Sequence, residues 1–181
     1  MYWDTNNAQI RPLCGFSHGS SGIGFIFLEL GQYFKNQAFY FIAEQAFAYE
    51  NYYFDATIKN WPDFRVDIYT ERKTEHLESV YRKSSRDAFT FADMNTWCHG
   101  AAGIGLSRLR ANKLFNQENY RKDVKHALAK TRHTKFPSFT LCHGNGGNAD
   151  LFIESYLVSH TIEDLEAAKK VANLCLQQQK R

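Results

Sequence analysis

One unit recurs three times along the 181 residues: a glycine-rich turn, an apolar segment, a loop and an amphipathic segment. The first copy runs from the small-residue stretch Cys14 to Gly24 into Ile23 to Phe34. There Ile23, Phe27, Leu30 and Phe34 share a helical face, and Phe25, Ile26 and Leu28 cover the others. A helix apolar on nearly all sides is expected to be buried on nearly all sides. Gln37 to Phe54 follows, with Phe39, Ile42, Ala46, Tyr49 and Tyr53 on one helical stripe that leaves a solvent face. The second copy pairs Ala101 to Phe115 with Glu118 to Lys130, striped by Tyr120, Val124, Ala127 and Leu128. The third pairs Gly147 to Ser159 with a helix opened by Thr161 and Asp164, which together read as a capping box. Leu165, Ala168, Val171, Ala172 and Cys175 stripe that last helix. Strand signals are nearly absent. Alternating buried and amphipathic helices predict an all-α fold in two concentric layers, an inner ring wrapped by an outer one. Lys59 to Asn95 is the least regular stretch, with a further helix expected around Thr74 to Lys83 between long loops. The polar lead from Asp4 to Arg11 reads as a loop or a cut end.

Composition narrows the class. A hydrophobic content of 44% is ample for one core, so residues 1–181 are read as a single domain. Twenty-two basic against nineteen acidic residues give a net +3 with no dense basic block, so no nucleic-acid partner is expected. The run Phe25-Ile26-Phe27-Leu28 is broken by Glu29 well short of a membrane span. No basic region followed by an apolar stretch marks a signal peptide at the start. Four cysteines, two of them beside histidines, suit a reducing compartment better than a disulfide framework, so a cytoplasmic location is expected.

The repeated turns also carry the chemistry. Trp97-Cys98-His99-Gly100 and Leu141-Cys142-His143-Gly144 each set cysteine and histidine side by side before an apolar helix, and Gly15-Phe16-Ser17-His18-Gly19 is a partial copy. Thiolate and imidazole are the ligands zinc prefers, and three protein ligands would leave a fourth position open, the catalytic pattern. Because each turn precedes an inner helix, residues as distant as His18, Cys98 and Cys142 would converge at one end of the ring. Cys14 and Cys175 read instead as small buried hydrophobes. His76, His126, His133 and His160 read as solvated, and Trp61 and Trp97 as packing. His99 competes with its cysteine neighbour as a ligand at this point.

His18-Gly19-Ser20-Ser21-Gly22-Ile23, Trp97-Cys98-His99-Gly100-Ala101-Ala102-Gly103-Ile104-Gly105 and Cys142-His143-Gly144-Asn145-Gly146-Gly147-Asn148 resemble the lanthionine synthetase C-like cyclases, in the family's order. Asn60-Trp61-Pro62-Asp63-Phe64-Arg65 is similar to the cyclase half of class II bifunctional lanthipeptide synthetases. The resemblance implies an α/α toroid around a catalytic zinc, of which residues 1–181, with about three hairpins, form a single partial domain. It implies Cys98, Cys142 and His143 as the metal ligands, His18 as the acid/base and His99 as a polar residue of its turn. The implied reaction closes thioether rings in a dehydrated precursor peptide, by adding a cysteine thiolate to dehydroalanine or dehydrobutyrine. The implied partners are that peptide and the missing parts of the synthetase, without which the chain alone is not expected to be a competent cyclase. The rival readings are a relative that adds glutathione to dehydroamino acids and a non-catalytic zinc-binding remnant.

The chemistry agrees with that ligand set. A free thiol with a pKa near 8.5 is only about 3% thiolate at pH 7. Coordination to a metal deprotonates it, a gain of about 30-fold or roughly 2 kcal/mol. Lowering a thiol's pKa also lowers its nucleophilicity. Two thiolates and a neutral imidazole cancel the metal charge and keep a further bound sulfur electron-rich. Addition to the alkene builds enolate charge on the peptide, which needs a proton from an acid such as His18.

Overall fold

The structure, a computed structural model, describes residues 12–64 and 93–178. Among these residues there are six α-helices and no strand, only an isolated antiparallel bridge between Asp55 and Asn60. The helices are α1 (Ser20–Phe34), α2 (Gln37–Tyr52), α3 (Ala101–Phe115), α4 (Glu118–His133), α5 (Asn145–Ser159) and α6 (Ile162–Gln178). The helix expected around Thr74 to Lys83 lies outside the described residues.

The three hairpins are built alike. Helices α1, α3 and α5 each end on a left-handed residue, Lys35, Asn116 and His160, with φ of 54°, 53° and 56°. The N–H of each folds back onto a carbonyl of the last turn, at Gly31, Asn112 and Tyr156. This is the αL stop that satisfies orphan carbonyls. After one intervening residue, the partner helix begins. At α2 the start is fixed by Asn36, whose side-chain oxygen accepts the Ala38 N–H at 3.0 Å, a cap worth about 1 kcal/mol.

Helices α1 and α5 pack on either side of α3, forming an inner row, while α2, α4 and α6 each lie outside their own partner. The consequence for burial is a correction. Helix α3 is buried along most of its length, from Ala101 through Leu109 and at Ala111. Helix α1 buries only the stripe Ser20, Ser21, Gly24, Leu28 and Gly31, leaving Ile26, Phe34 and Tyr33 (80%) exposed. Helix α5 likewise exposes Ile153, Leu157 and Val158. The run after each glycine turn therefore marks an inner helix, but among the described helices only α3, with inner neighbours on both sides, is buried along most of its length.

Smaller differences have local causes. The innermost stripe of α2 is Ala43, Ala46, Phe47 and Glu50, with Phe39, Ile42 and Tyr49 only half-buried beside it. The buried carboxylate Glu50 shifts that face. The capping box at Thr161 does not form: Ser159 Oγ accepts the Thr161 N–H, and the Asp164 carboxylate takes Ser155 Oγ (2.6 Å) and the guanidinium of Arg132. Side-chain bonds to a neighbouring helix win over the local cap.

Small residues bring the turns onto the inner row. Gly22, Gly103 and Gly147 are each the third residue of their helix. A Cβ on any of them would stand 1.9 Å from a carbonyl oxygen of the turn before it, at Phe16, Trp97 and Leu141 respectively. A Cβ on Gly103 would also meet Phe16 Cβ (2.7 Å), and one on Gly147 would meet Trp97 Cβ (2.6 Å). Each turn thus rests on its own helix, and the first two also rest on the next inner helix along. The three chemistry-bearing turns are brought to one end of the row by this packing.

Candidate metal centre

The Cys98 turn is held by polar side chains of the Asn60 run and of its own approach. Asn60, fully buried, donates from Nδ2 to Asp93 Oδ1 and to the Met94 carbonyl, both at 2.9 Å. Its Oδ1 accepts the Ala101 N–H at 2.8 Å, and Asn95 Oδ1 accepts the Ala102 N–H at 2.8 Å. The first orphan donors of α3 are thereby satisfied. Trp61 beside Asn60 is buried and donates from its indole to Asn51. The Asn-Trp-Pro-Asp-Phe run is thus a brace under the turn, with Asp63 and Phe64 buried as well. Gly100 adopts φ +85°, and a Cβ there would lie 2.0 Å from the Met94 oxygen, so no other residue fits.

His18 sits on the neighbouring turn. The Cys98 carbonyl accepts N–H groups from Phe16 (3.0 Å) and Ser17 (3.2 Å), tying the two turns together. The His18 ring is exposed and stacks on the buried His99 ring with centroids 6.0 Å apart. The turn is anchored at both ends by Glu50, which is fully buried. Its Oε1 accepts from Gly15 N–H (2.9 Å) and Ser21 N–H (2.8 Å), and its Oε2 from Ser21 Oγ (2.5 Å) and Arg108 (2.8 Å). Arg108, also fully buried, reaches Asp123 at 3.3 Å and lies 4.2 Å from the Phe47 ring. The signal for this pair was weak, because Arg108 and Arg110 both stand in the same helix and only the buried one must find a carboxylate.

The third turn is less enclosed. Cys142 is half-buried and His143 exposed. Cys98, Cys142 and His143 nevertheless offer ligand atoms that all lie within 4.8 Å of one another, a group that could hold a metal ion. Cys142 Sγ stands 3.9 Å from His143 Nε2, close to the ~3.6 Å expected across a tetrahedral ion with ordinary zinc bond lengths. Both cysteines are free thiols. His99 and His18 fall outside this group. Of the remaining cysteines, Cys14 is buried, and burial, then the Glu50 charge, pushes its thiol well above the usual range, so it stays neutral. Cys175 is only half-buried, less than a core position requires. His133 and His160 are exposed as expected, whereas His126 is half-buried against Phe54; His76 lies outside the described residues.

A cleft of about 530 Å³ runs below the turns between α1, α3 and α5, past Phe16, Phe25, Trp97, Arg110 and Leu157. The Trp97 indole on its wall donates to Asp150 at 3.2 Å. A larger cavity of about 1070 Å³ lies between α4, α5 and α6 and holds none of the three ligands or His18. No described helix is long and apolar enough to cross a membrane.

Three comparisons bear on this arrangement. Nisin cyclase, a solved structure, superimposes with a TM-score of 0.66 over 92% of this chain and 40% of its own length, at 18% identity. That likeness supports the fold, a helical two-layer arc. Glutathione S-transferase LANCL1 of Danio rerio is 29% identical over 82 residues, 44% of this chain and 20% of the relative. The chain thus spans well under half the length of either protein. The model of one family, described as Lanthionine synthetase C-like protein, matches residues 2–181. The turns, the helical arc and that match agree: the chain belongs to the lanthionine synthetase C-like family.

Proposed function

We propose that this chain is the zinc-bearing part of a cytoplasmic lanthipeptide cyclase, of the class II type, acting on a dehydrated precursor peptide. The observation that carries the reading is the convergence of Cys98, Cys142 and His143 from two turns separated in sequence, with His18 on a third turn bonded to the first. In this reading the two thiolates and the imidazole hold zinc, which when bound supplies deprotonation of the peptide's cysteine. The side chains do the rest. Phe16 and Trp97 line the cleft where the peptide lies against the turns. The peptide sulfur bonds to the β-carbon of the dehydroamino acid, the π pair moves toward the α-carbon and carbonyl, and His18 delivers the proton that completes the α-carbon. Its exposure leaves it free to meet a peptide, and Glu50 fixes the turn that aims it.

The exposed edges of α1 and α5 support a further part of the proposal, that competent turnover needs additional hairpins to wall the cleft. Ring closure leaves mass unchanged, so the test is alkylation. Dehydrated peptide is incubated with the zinc-loaded protein and its remaining thiols are capped. Fewer caps are expected with the parent protein in a complete ring. His18→Ala should retain zinc and close rings ~10²–10⁴-fold more slowly. Zinc loss in that variant would contradict the assignment of His18 to proton transfer. The likeness to a protein named glutathione S-transferase favours one second reading, addition of glutathione to the same acceptors. Adding reduced glutathione separates the two, since its adduct gains mass and a ring does not.

A further inference from the structure

We infer that Thr96 is a positioning residue for the Cys98 sulfur, donating its hydroxyl hydrogen bond to that ligand and making the two thiolates of the centre unequal. This rests on the reading of Cys98 as a metal ligand. Thr96 Oγ1 lies 3.1 Å from Cys98 Sγ, and the two residues are 2% and 1% exposed. Both residues are buried, and this hydroxyl is a direct polar neighbour of the sulfur.

The local bonds decide which way the proton points. The His99 carbonyl already receives the Thr96 N–H at 2.7 Å, and Thr96 Oγ1 accepts the His99 N–H at 3.3 Å. The hydroxyl proton then has two acceptors in reach, Cys98 Sγ at 3.1 Å and the His99 carbonyl at 3.3 Å. While Cys98 is a thiol, its S–H can donate to Oγ1 and the hydroxyl can turn to the carbonyl. A ligating sulfur has no proton and can only accept. The hydroxyl proton then turns to the sulfur, where the bond is charge-assisted and about twice as strong as a neutral one.

The third turn supplies an internal control. It repeats the pattern, with Thr140 two residues before Cys142 as Thr96 is two before Cys98. Thr140 is exposed, its hydroxyl lies 3.4 Å from Ser138 Oγ, and Cys142 is half-buried, within reach of water. The geometry assigns the tuning to one threonine of the pair. Outer-shell partners of this kind typically change metal affinity by about 10–100-fold.

The experiment substitutes cobalt(II) into the 181-residue chain and records its sulfur-to-cobalt charge-transfer band, together with zinc affinity by chelator competition. Thr96→Val should move the band to lower energy, because a sulfur stripped of its hydrogen bond gives up an electron more easily, and weaken zinc by ~10–100-fold. Thr96→Ala should do the same should the valine chain not fold. Thr96→Ser should restore both, and Thr140→Val should leave both at the parent values. A packing defect alone would lower the melting temperature without moving the band. Parent-like bands in folded Thr96→Val or Thr96→Ala, with cobalt bound, would overturn the inference and leave the metal reading standing. Failure of the parent chain to bind cobalt or zinc at all would overturn both.

Discussion

The turns before α3 and α5 share the pattern Thr-x-Cys-His-Gly, yet their surroundings differ sharply. The first is buried from Asn95 to Gly100 apart from half-buried Trp97, and is cross-braced by Asn60, Asn95 and the neighbouring His18 turn. The second exposes Leu141 (56%) and His143, and its bracing is local, Asn145 bonding to Phe136 and Ser138 within the same loop. Position in the repeat explains the contrast. The turn with described turns on both sides is enclosed, while the one with a described neighbour on a single side leaves Leu141 and His143 exposed. The proposed metal ligands therefore come from one enclosed turn and one exposed turn.

The largest test of that contrast is Glu50→Ala. It strips the carboxylate from a fully buried arginine and leaves the Gly15 and Ser21 N–H groups without their acceptor. Breaking one side of a buried pair costs about 3–5 kcal/mol. Denaturant titration should register most of the chain's stability lost; a change under 1 kcal/mol would mean the enclosed turn does not depend on this pair.

Asn60→Ala should follow, since it removes the side-chain acceptor of the buried Ala101 N–H, at about 1–3 kcal/mol. The matching change on the other turn, Thr140→Ala, is exposed and should stay within about 0.5 kcal/mol. Melting temperatures of the two variants compare the turns directly. Equal losses would erase the distinction.

These residues also show what could be read from sequence. The three hairpins were legible because glycine turns, apolar runs and stripes recur in register; the paired Cys-His motifs marked the turns as chemical, while the choice of Cys98, Cys142 and His143 over His99 came from the family resemblance. Burial was not, because Ile26 and Leu109 look alike as letters, and only the number of neighbouring helices makes one exposed and the other buried. The braces escaped for a related reason. Asn60, Glu50 and Thr96 act through partners up to 58 positions away or through a hydroxyl's direction, and no periodicity records either.

The smallest effect is a pH dependence on the braced side. His126 on α4 packs on Phe54, whose loop leads to Asn60, with ring centroids 5.0 Å apart. Burial, then the Lys122 charge, holds its pKa below the usual value, against an opposing pull from Asp123. The unfolded chain therefore takes up a proton first. Stability is complete above about pH 6.5 and declines as pH falls below it. His126→Gln should flatten that slope, and an unchanged slope would assign it elsewhere.

The central claim is a single metal ion shared between the enclosed and the exposed turn. Metal content per chain after dialysis against trace zinc measures it, for the parent and for Cys98→Ala, Cys142→Ala and His143→Ala. The account predicts about one zinc for the parent, matching one three-ligand site, with marked loss in all three variants while helical content is retained. Undiminished zinc in Cys142→Ala would contradict it.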